Sequence, residues 1–296
     1  MLADPPRLHI AIQKSGRLAE LSRSLLRDTG LRVQSGKNEL TARVENFPAD
    51  LMFVRDDDIP TFVADGVCEL GIVGGNVLRE FELGEDGARC KTVAQLGFGR
   101  CTLKLAAPRE ARWDGIASLA GARIATSYPR IVQRFLDDRQ LAATVVKMNG
   151  AVELAPRLQI APFICDLVST GATLDANGLR AVETVLESEA VLVRTRKPVP
   201  ASQQELVAGL LSRIDGVLAT KESKYIMLNA PGEALSAITA LLPGAGAPTI
   251  LPLHQRPGQF AVHAVCQESV FWETLQKLKA TGASAILVLP IEKMML

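Results

Sequence analysis

Residues 163–179 read FICDLVSTGATLDANGL, and the order of residue types along them sets the class of the chain. Phe163 to Val168 is short and mostly apolar, as expected of a strand buried in a helix-covered sheet. Small residues then interrupt it, Ser169-Thr170-Gly171-Ala172-Thr173, and an amphipathic helix follows. Such a turn has two uses. Its hydroxyls can cap and turn the chain. Alternatively they join backbone N–H groups at the helix start as a phosphate cradle, with Gly171 allowing close approach of the backbone.

The same grammar of strand, turn and helix recurs on either side. Leu8 to Gln13 predicts a strand, KSGR (14–17) a loop, and Leu18 to Arg27 a helix ending at Gly30. Strands are expected around Leu31 to Ser35, Leu40 to Val44 and Asp50 to Val54, then a helix from Ile59 to Asp65 and a buried strand from Leu70 to Val73. A second unit begins near Cys101, with strands in TLKLAAP (102–108), GARIATSYPR (121–130) and TVVKM (144–148), and helices over Ile131 to Arg139 and Glu153 to Gln159. Arg180 to Arg196 reads as a strand and connection returning to the first unit, and Gln203 to Ala219 as a helix. Buried strands alternating with helices predict an α/β fold with a largely parallel sheet. VCELGIVGGNVL (67–78) and ICDLVSTGATL (164–174) echo each other, which predicts two similar lobes whose turns face a shared cleft.

The last segment reads as βαββαβ, the ferredoxin-like order. Its strands are KYIMLNAP (224–231), APTILPL (247–253), QFAVHAV (259–265) and ASAILVLP (283–290). GEALSAITALLPG (232–244) and VFWETLQKLKATG (270–282) are its helices, the latter closed by Gly282. No candidate catalytic cluster falls here, so a regulatory or assembly module is expected. The domain division is then 1–100 with 181–222, 101–180, and 223–296.

The 296 residues are 48% hydrophobic and 22% charged, the profile of a soluble globular protein. A formal net charge of +1 supplies no general field for nucleic acid or an anionic membrane, so any anion site is local. Five cysteines without a CxxC pair argue against a disulfide framework and a zinc site. The charged, proline-bearing start MLADPPRLHIAIQKSGRL lacks a signal-peptide core, and no apolar run reaches the roughly 20 residues of a membrane span. A cytoplasmic protein is expected. Of three histidines, His9 alternates into the first strand as a packed residue and the other two, His254 and His263, lie in the terminal module. Without a nucleophilic triad, any reaction proceeds by holding and polarising ligands.

Four places carry candidate chemistry. Lys14 and Arg17 flank Gly16 where a helix begins, with Ser15 available as a cap. The helix dipole disfavours cations there, so an anionic ligand would explain them. Arg55 precedes Asp56-Asp57-Asp58, which can coordinate magnesium or cap the next helix. Asp166 can hold sugar hydroxyls beside a bound phosphate or face a helix terminus. Glu153 reads as a favourable first-turn acid at the start of a helix.

Together these stretches resemble a known family. ELAPRLQIAPFICDLVSTGATLDANGL (153–179) is similar to the signature of the ATP phosphoribosyltransferases, the first enzymes of histidine biosynthesis. KSGRL (14–18), RDDDIP (55–60), LGIVGGNVL (70–78), ATSYPR (125–130), ESKYIML (222–228), PTILPL (248–253) and SAILVLPIEKM (284–294) resemble the same family in the same order. The terminal module marks its long form.

The resemblance implies an α/β catalytic region with two lobes, like periplasmic binding proteins, plus the C-terminal ferredoxin-like regulatory domain. It implies that N1 of ATP's adenine attacks C1 of phosphoribosyl pyrophosphate and displaces magnesium-bound pyrophosphate. Ser169, Thr170, Gly171, Ala172, Thr173 and Leu174 would then cradle the ribose 5′-phosphate. Asp166 and Glu153 would contact ribose hydroxyls or help hold the positive charge developing at C1. Lys14, Gly16, Arg17, Arg55, Asn76 and Tyr128 would line the ATP side, with Arg17 also among the catalytic groups. Mg2+ would travel with the pyrophosphate rather than on a fixed protein site. Asn229, Ala245, Thr249, Val265 and Ala285 match the positions of a histidine sensor, so L-histidine is expected as an inhibitor of a homo-oligomer, dimer and hexamer. A departure is Gln159-Ile160-Ala161-Pro162, where relatives usually carry Gly-Leu-Ala-Asp. The competing reading is a non-catalytic protein of two lobes that captures a small anion.

Overall fold

The computed structural model describes residues 6–34, 40–84, 89–169, 171–221, 223–242, 247–267 and 271–294. The chain forms two compact units, Met1–Ala208 and Gly209–Leu296.

In the first unit the chain runs β1 (Leu8–Gln13), α1 (Arg17–Asp28), β2 (Thr41–Arg43), β3 (Ala49–Val54), α2 (Ile59–Ala64), β4 (Leu70–Gly74), α3 (Gly75–Glu82) and β5 (Cys90–Gln95). It then crosses to a second lobe: β6 (Cys101–Pro108), β7 (Arg123–Thr126), α4 (Pro129–Asp137), β8 (Thr144–Lys147), β9 (Phe163–Val168), α5 (Ala172–Ala176) and β10 (Leu179–Ser188). β11 (Ala190–Thr195) returns to the first lobe, and α6 (Ala201–Leu218) follows.

The first sheet has the order β2-β3-β1-β4-β11-β5 and the second β10-β6-β9-β7-β8. β1 sits centrally, parallel to both β3 and β4. Leu8, Ile10, Ala11 and Ile12 are all fully buried, which is why its sequence is continuously apolar rather than alternating. In the second lobe β9 is parallel to β7 but antiparallel to β6. Both sheets are therefore mixed, not largely parallel as the sequence suggested. Apart from the edge strand β2, antiparallel to β3, the antiparallel pairings involve β5, β6, β10 and β11, which flank the two crossings, where an extended chain enters one sheet as it leaves the other.

Those crossings touch each other. Leu96 N donates to Ala190 O over 3.0 Å and Ala190 N to Phe98 O over 2.8 Å, tying the two interlobe segments together. The return falls at Glu189, so residues 181–188 belong to the second lobe, paired with β6, and the expected boundary at 181 moves. Nothing between Leu179 and Thr195 is Gly or Pro, so no breaker marked the change of sheet.

Three further expectations change. Instead of a strand over Leu31 to Ser35, the described residues there form an isolated bridge, Val33 with Val44; Ser35 lies outside them. The stretch expected as a helix over Glu153 to Gln159 is a 3-10 turn, Val152–Leu154, followed by turns bounded by left-handed Ala151 (φ 51°) and Gln159 (φ 58°). His9 is not packed: its side chain is 46% exposed, with Nδ1 4.0 Å from Glu69.

The second unit contains β12 (Ser223–Pro231), α7 (Leu235–Ala240), β13 (Thr249–Pro252), β14 (Gln259–Gln267), α8 (Phe271–Ala280) and β15 (Ser284–Pro290). Its antiparallel sheet has the order β13-β14-β12-β15, the ferredoxin-like topology. Ile226, Leu228 and Ala230 alternate inward with Val262, Ala264 and Cys266, and pack with Ile238, Leu242 and Leu278. Gly282 (φ 96°) ends the α8 turn, where a left-handed residue is required.

Candidate active site

The carboxyl ends of β1, β4 and β9 converge between the lobes. Gln13 ends β1, and the loop Lys14 to Gly16 leads into α1. Gly16 is the N-cap at φ 101°, and no side chain caps the helix, so the expected cap from Ser15 is not made. Lys14 and Gly16 are exposed at this loop. A cavity of about 280 Å³ follows, lined from the first lobe by Gln13, Arg17, Asp56 and Asn76 and from the second by Leu167 and Ser169. Beside it lies a larger opening of about 940 Å³ along the crossing strands, which shares Arg100, Cys101 and Ser169.

Asn76 is 4% exposed and belongs to both lobes in its bonding. Its backbone N–H donates to Ser188 Oγ (2.8 Å), its Oδ1 accepts from the same hydroxyl (3.1 Å), and its Nδ2 donates to Tyr128 Oη (2.9 Å). The side-chain amide is thus engaged at both ends, and Asn76 ties the lobes together while also lining the cavity. Burial pushes the Tyr128 hydroxyl up, and the charges of Asp56, Asp57 and Asp166 act in the same direction, so the phenol stays neutral. One helical turn further along α3, Glu80 accepts from Arg130 N and Ile131 N, both at 2.9 Å, and caps α4 across the gap.

Arg55, exposed, precedes the turn Asp56–Asp58. Partial burial raises the Asp57 carboxyl, and Asp56 and Asp58 raise it further, while Lys147 and Arg55 oppose them. Lys147 ends β8, so a cation of the second lobe faces the acids of the first.

On the second lobe, Asp166 accepts from Leu167 N (2.8 Å). Burial raises its carboxyl, the Leu167 bond opposes, and the negative charge of Glu153 raises it again. The carboxylates of Asp166 and Glu153, 13 residues apart in the sequence, therefore act on each other electrostatically. Gly171 adopts φ 83° as the N-cap of α5, and a methyl placed on it would meet nothing within 4 Å. Ser169 lines the cavity, while Ala172 and Thr173 are exposed at the start of α5. Leu174 turns its side chain into the core with Ala106, Ala125 and Ile164. Thr170 lies outside the described residues. Burial raises all five thiols, Cys68 to about 12 and Cys90 to about 11, so none is a ready nucleophile. Among the described residues no three metal-ligating side chains cluster.

In the second unit, Asn229 on β12 pairs with Ala261, Val265 pairs with Tyr225, and Thr249 pairs with His263. Paired residues share a face, so these three lie on the side of the sheet away from the core. The Tyr225 hydroxyl meets His263 Nδ1 there at 2.7 Å. Ala285 is exposed on β15 in the left-handed region (φ 48°), and Ala245 lies outside the described residues.

Sequence reasoning missed Gln13, Arg100, Ser188 and Glu80. Gln13 was accessible to it, since it ends a parallel strand at the expected binding edge. Ser188 carried no signal, being one polar residue in a long extended run.

Polar groups of two α/β lobes converging on a cleft beside paired crossings define the class of two-lobed proteins that enclose a small ligand. Comparison with known proteins narrows this. The ATP phosphoribosyltransferase family model matches residues 55–216, and the HisG C-terminal domain model matches residues 220–293. A curated ATP phosphoribosyltransferase of Maricaulis maris (strain MCS10) is 56% identical over 291 residues, covering 98% of this chain and 99% of the relative. The chain belongs to the ATP phosphoribosyltransferase family, in its long form, and is a pentosyltransferase that joins ATP to phosphoribosyl pyrophosphate. The ATP phosphoribosyl transferase (HisG:HisZ) complex from Thermotoga maritima shares the fold at 24% identity and TM-score 0.59, over 70% of this chain and 96% of that one. A histidine kinase sensor domain described as similar to periplasmic binding proteins aligns at TM-score 0.47 and 10% identity, over 71% of this chain and 89% of that one.

Proposed function

We propose that the cavity between the lobes is where the two substrates meet, with ATP against the first lobe and phosphoribosyl pyrophosphate against the second. The observation that carries this is the shared lining: Arg17 and Asp56 come from one lobe, and Leu167 and Ser169, which follow Asp166 along the chain, from the other. On this reading the backbone and hydroxyls from Ser169 to Thr173 hold the 5′-phosphate, Leu174 contributing through its backbone alone. Lys14, Gly16, Arg17 and Arg55 face the polyphosphate of ATP, and Tyr128 closes the cleft through Asn76.

The chemistry needs no protein nucleophile. The N1–C1 bond forms as the bond from C1 to pyrophosphate breaks, and the electron pair leaves with the pyrophosphate. Positive charge grows on the ribose, and on this reading the Asp166 and Glu153 carboxylates would oppose it. Alignment of the two reactants contributes roughly 7–11 kcal/mol. Magnesium carried by the pyrophosphate would neutralise the leaving group, and Asp56 is the carboxylate of this cavity lining that could help hold it.

The second unit then serves as a histidine sensor, built on the open sheet face that carries Asn229, Thr249 and Val265, with Ala285 at its edge. Leu251, Leu287 and Leu289 are each about half exposed, which supports a face that assembles into a homo-oligomer, dimer and hexamer. A cytoplasmic location agrees with the absence, among the described residues, of a helix long and apolar enough to cross a membrane. The test of the cleft assignment is Arg17→Ala, expected to raise the KM for ATP at least tenfold. An unchanged KM would remove Arg17 from the site. Added histidine should lower the rate of the full chain, and an Asn229→Ala variant should need more of it.

A further inference from the structure

Gln13 presents an anomaly. Its Oε1 is a buried acceptor with no hydrogen-bond partner among the described residues, although Gln13 lines the 280 Å³ cavity. Buried carbonyl oxygens almost always find a donor, and leaving one bare is costly. The amide lies under the Lys14–Arg17 loop, where a methyl on Gly16 would come within 3.6 Å of Oε1. Oε1 is shielded in the free protein, so a small shift of the amide or of the Gly16 loop over it would bring it to a donor that a ligand carries.

The surroundings indicate which donor. The cavity lining joins apolar Leu18, Val77 and Leu167 and the backbones of Gly74 and Gly99 to the charged Arg17, Asp56 and Arg100. Phosphoribosyl pyrophosphate offers hydroxyls and several negative charges, which the apolar part of this lining does not satisfy, whereas a nucleotide presents an apolar ring to the one part and phosphates to the other. A purine ring is flat and apolar on both faces, and its polar atoms lie on the edge. We propose that Gln13 is the base-selecting residue of the transfer reaction: its Oε1 accepts from the 6-amino group of adenine in the apolar slot. This rests on the placement of ATP against the first lobe argued above.

The consequence is both selection and orientation. A 6-oxo purine would set oxygen against oxygen at this point, and a purine without a 6-substituent would leave Oε1 bare. The 6-amino group adjoins N1, so fixing it also fixes the direction of the attacking lone pair toward the second lobe.

The test uses the full chain and two probes, AMP and purine riboside 5′-monophosphate, which differ only by the 6-amino group. Calorimetric titration of the unaltered protein should show AMP binding roughly tenfold tighter or more. Gln13→Leu should bring that ratio close to unity, raise the KM for ATP about tenfold and leave the KM for phosphoribosyl pyrophosphate in place. Gln13→Glu, which keeps an acceptor, should restore most of the preference. Because the leucine variant no longer buries a bare oxygen, its ligand-free melting temperature should not fall. A probe ratio unaffected by Gln13→Leu, alongside an Arg17→Ala variant still weak for ATP, would overturn the role of Gln13 and leave the ATP placement standing. A rise confined to the KM for phosphoribosyl pyrophosphate would overturn both.

Discussion

Asn76 Nδ2 donates a hydrogen bond to Tyr128 Oη over 2.9 Å, and the two residues stand on different lobes. Since Asn76 is 4% exposed, removing the hydroxyl strands a buried N–H. Tyr128→Phe should therefore lower unfolding stability by about 1–3 kcal/mol, measured by urea denaturation of the ligand-free protein. A Tyr128 that served only as a contact for ATP would change the KM and leave the denaturation midpoint where it was.

Glu80 makes the second interlobe tie, through the N-terminus of α4. Glu80→Ala should cost about 1 kcal/mol. It should also speed amide exchange at Arg130 and Ile131 more than elsewhere in α4, because those two N–H groups lose their acceptors. Glu80→Gln, which keeps one acceptor oxygen, should lie between the variant and the parent. Uniform exchange along the helix would argue against the cap.

Asp166 gives a pH dependence of defined sign. Its carboxyl is raised from 3.8 by burial, so the fold prefers the protonated form. The resulting penalty is absent below 3.8, grows as pH rises through the raised value, and is complete above it. Asp166→Asn should raise the melting temperature at pH 7 and bring no gain near pH 3. The same change should reduce kcat by about a hundredfold if the carboxylate opposes charge at C1. A variant less stable at pH 7 would contradict the origin assigned to the shift.

Gln159 occupies the left-handed region at φ 58°, at the position where the family resemblance leads one to expect glycine. The departure has therefore left the local turn in place and put a side chain into a conformation costing roughly 1–2 kcal/mol. Glycine would relieve that but add unfolded-state freedom worth about 0.4–1 kcal/mol. Gln159→Gly should thus stabilise by about 0 to 1.6 kcal/mol, whereas Gln159→Val should destabilise, both checked by thermal melting.

Much of this could be read along the chain because it is encoded locally. The apolar β1 and β9, the glycine turns after β4 and β9, and the βαββαβ order of the second unit each follow from short-range patterning. The 153–159 stretch could not be read in this way. Its acidic start resembled a first helical turn, but left-handed residues at 151 and 159 confine it to turns, and a left-handed conformation at Ala or Gln has no residue-type signal.

The amino-acid sequence by itself determined the α/β class, the modular C-terminus and the family. Tertiary structure alone decided where the second lobe ends, that Asn76 and Glu80 are ties between lobes, and that Gln13 keeps an unanswered acceptor. The reason is physical. Strand and turn tendencies act over a few residues, whereas the partner of a buried polar group is set by which distant segments the sheets bring together, as Asn76 and Ser188 are, 112 residues apart.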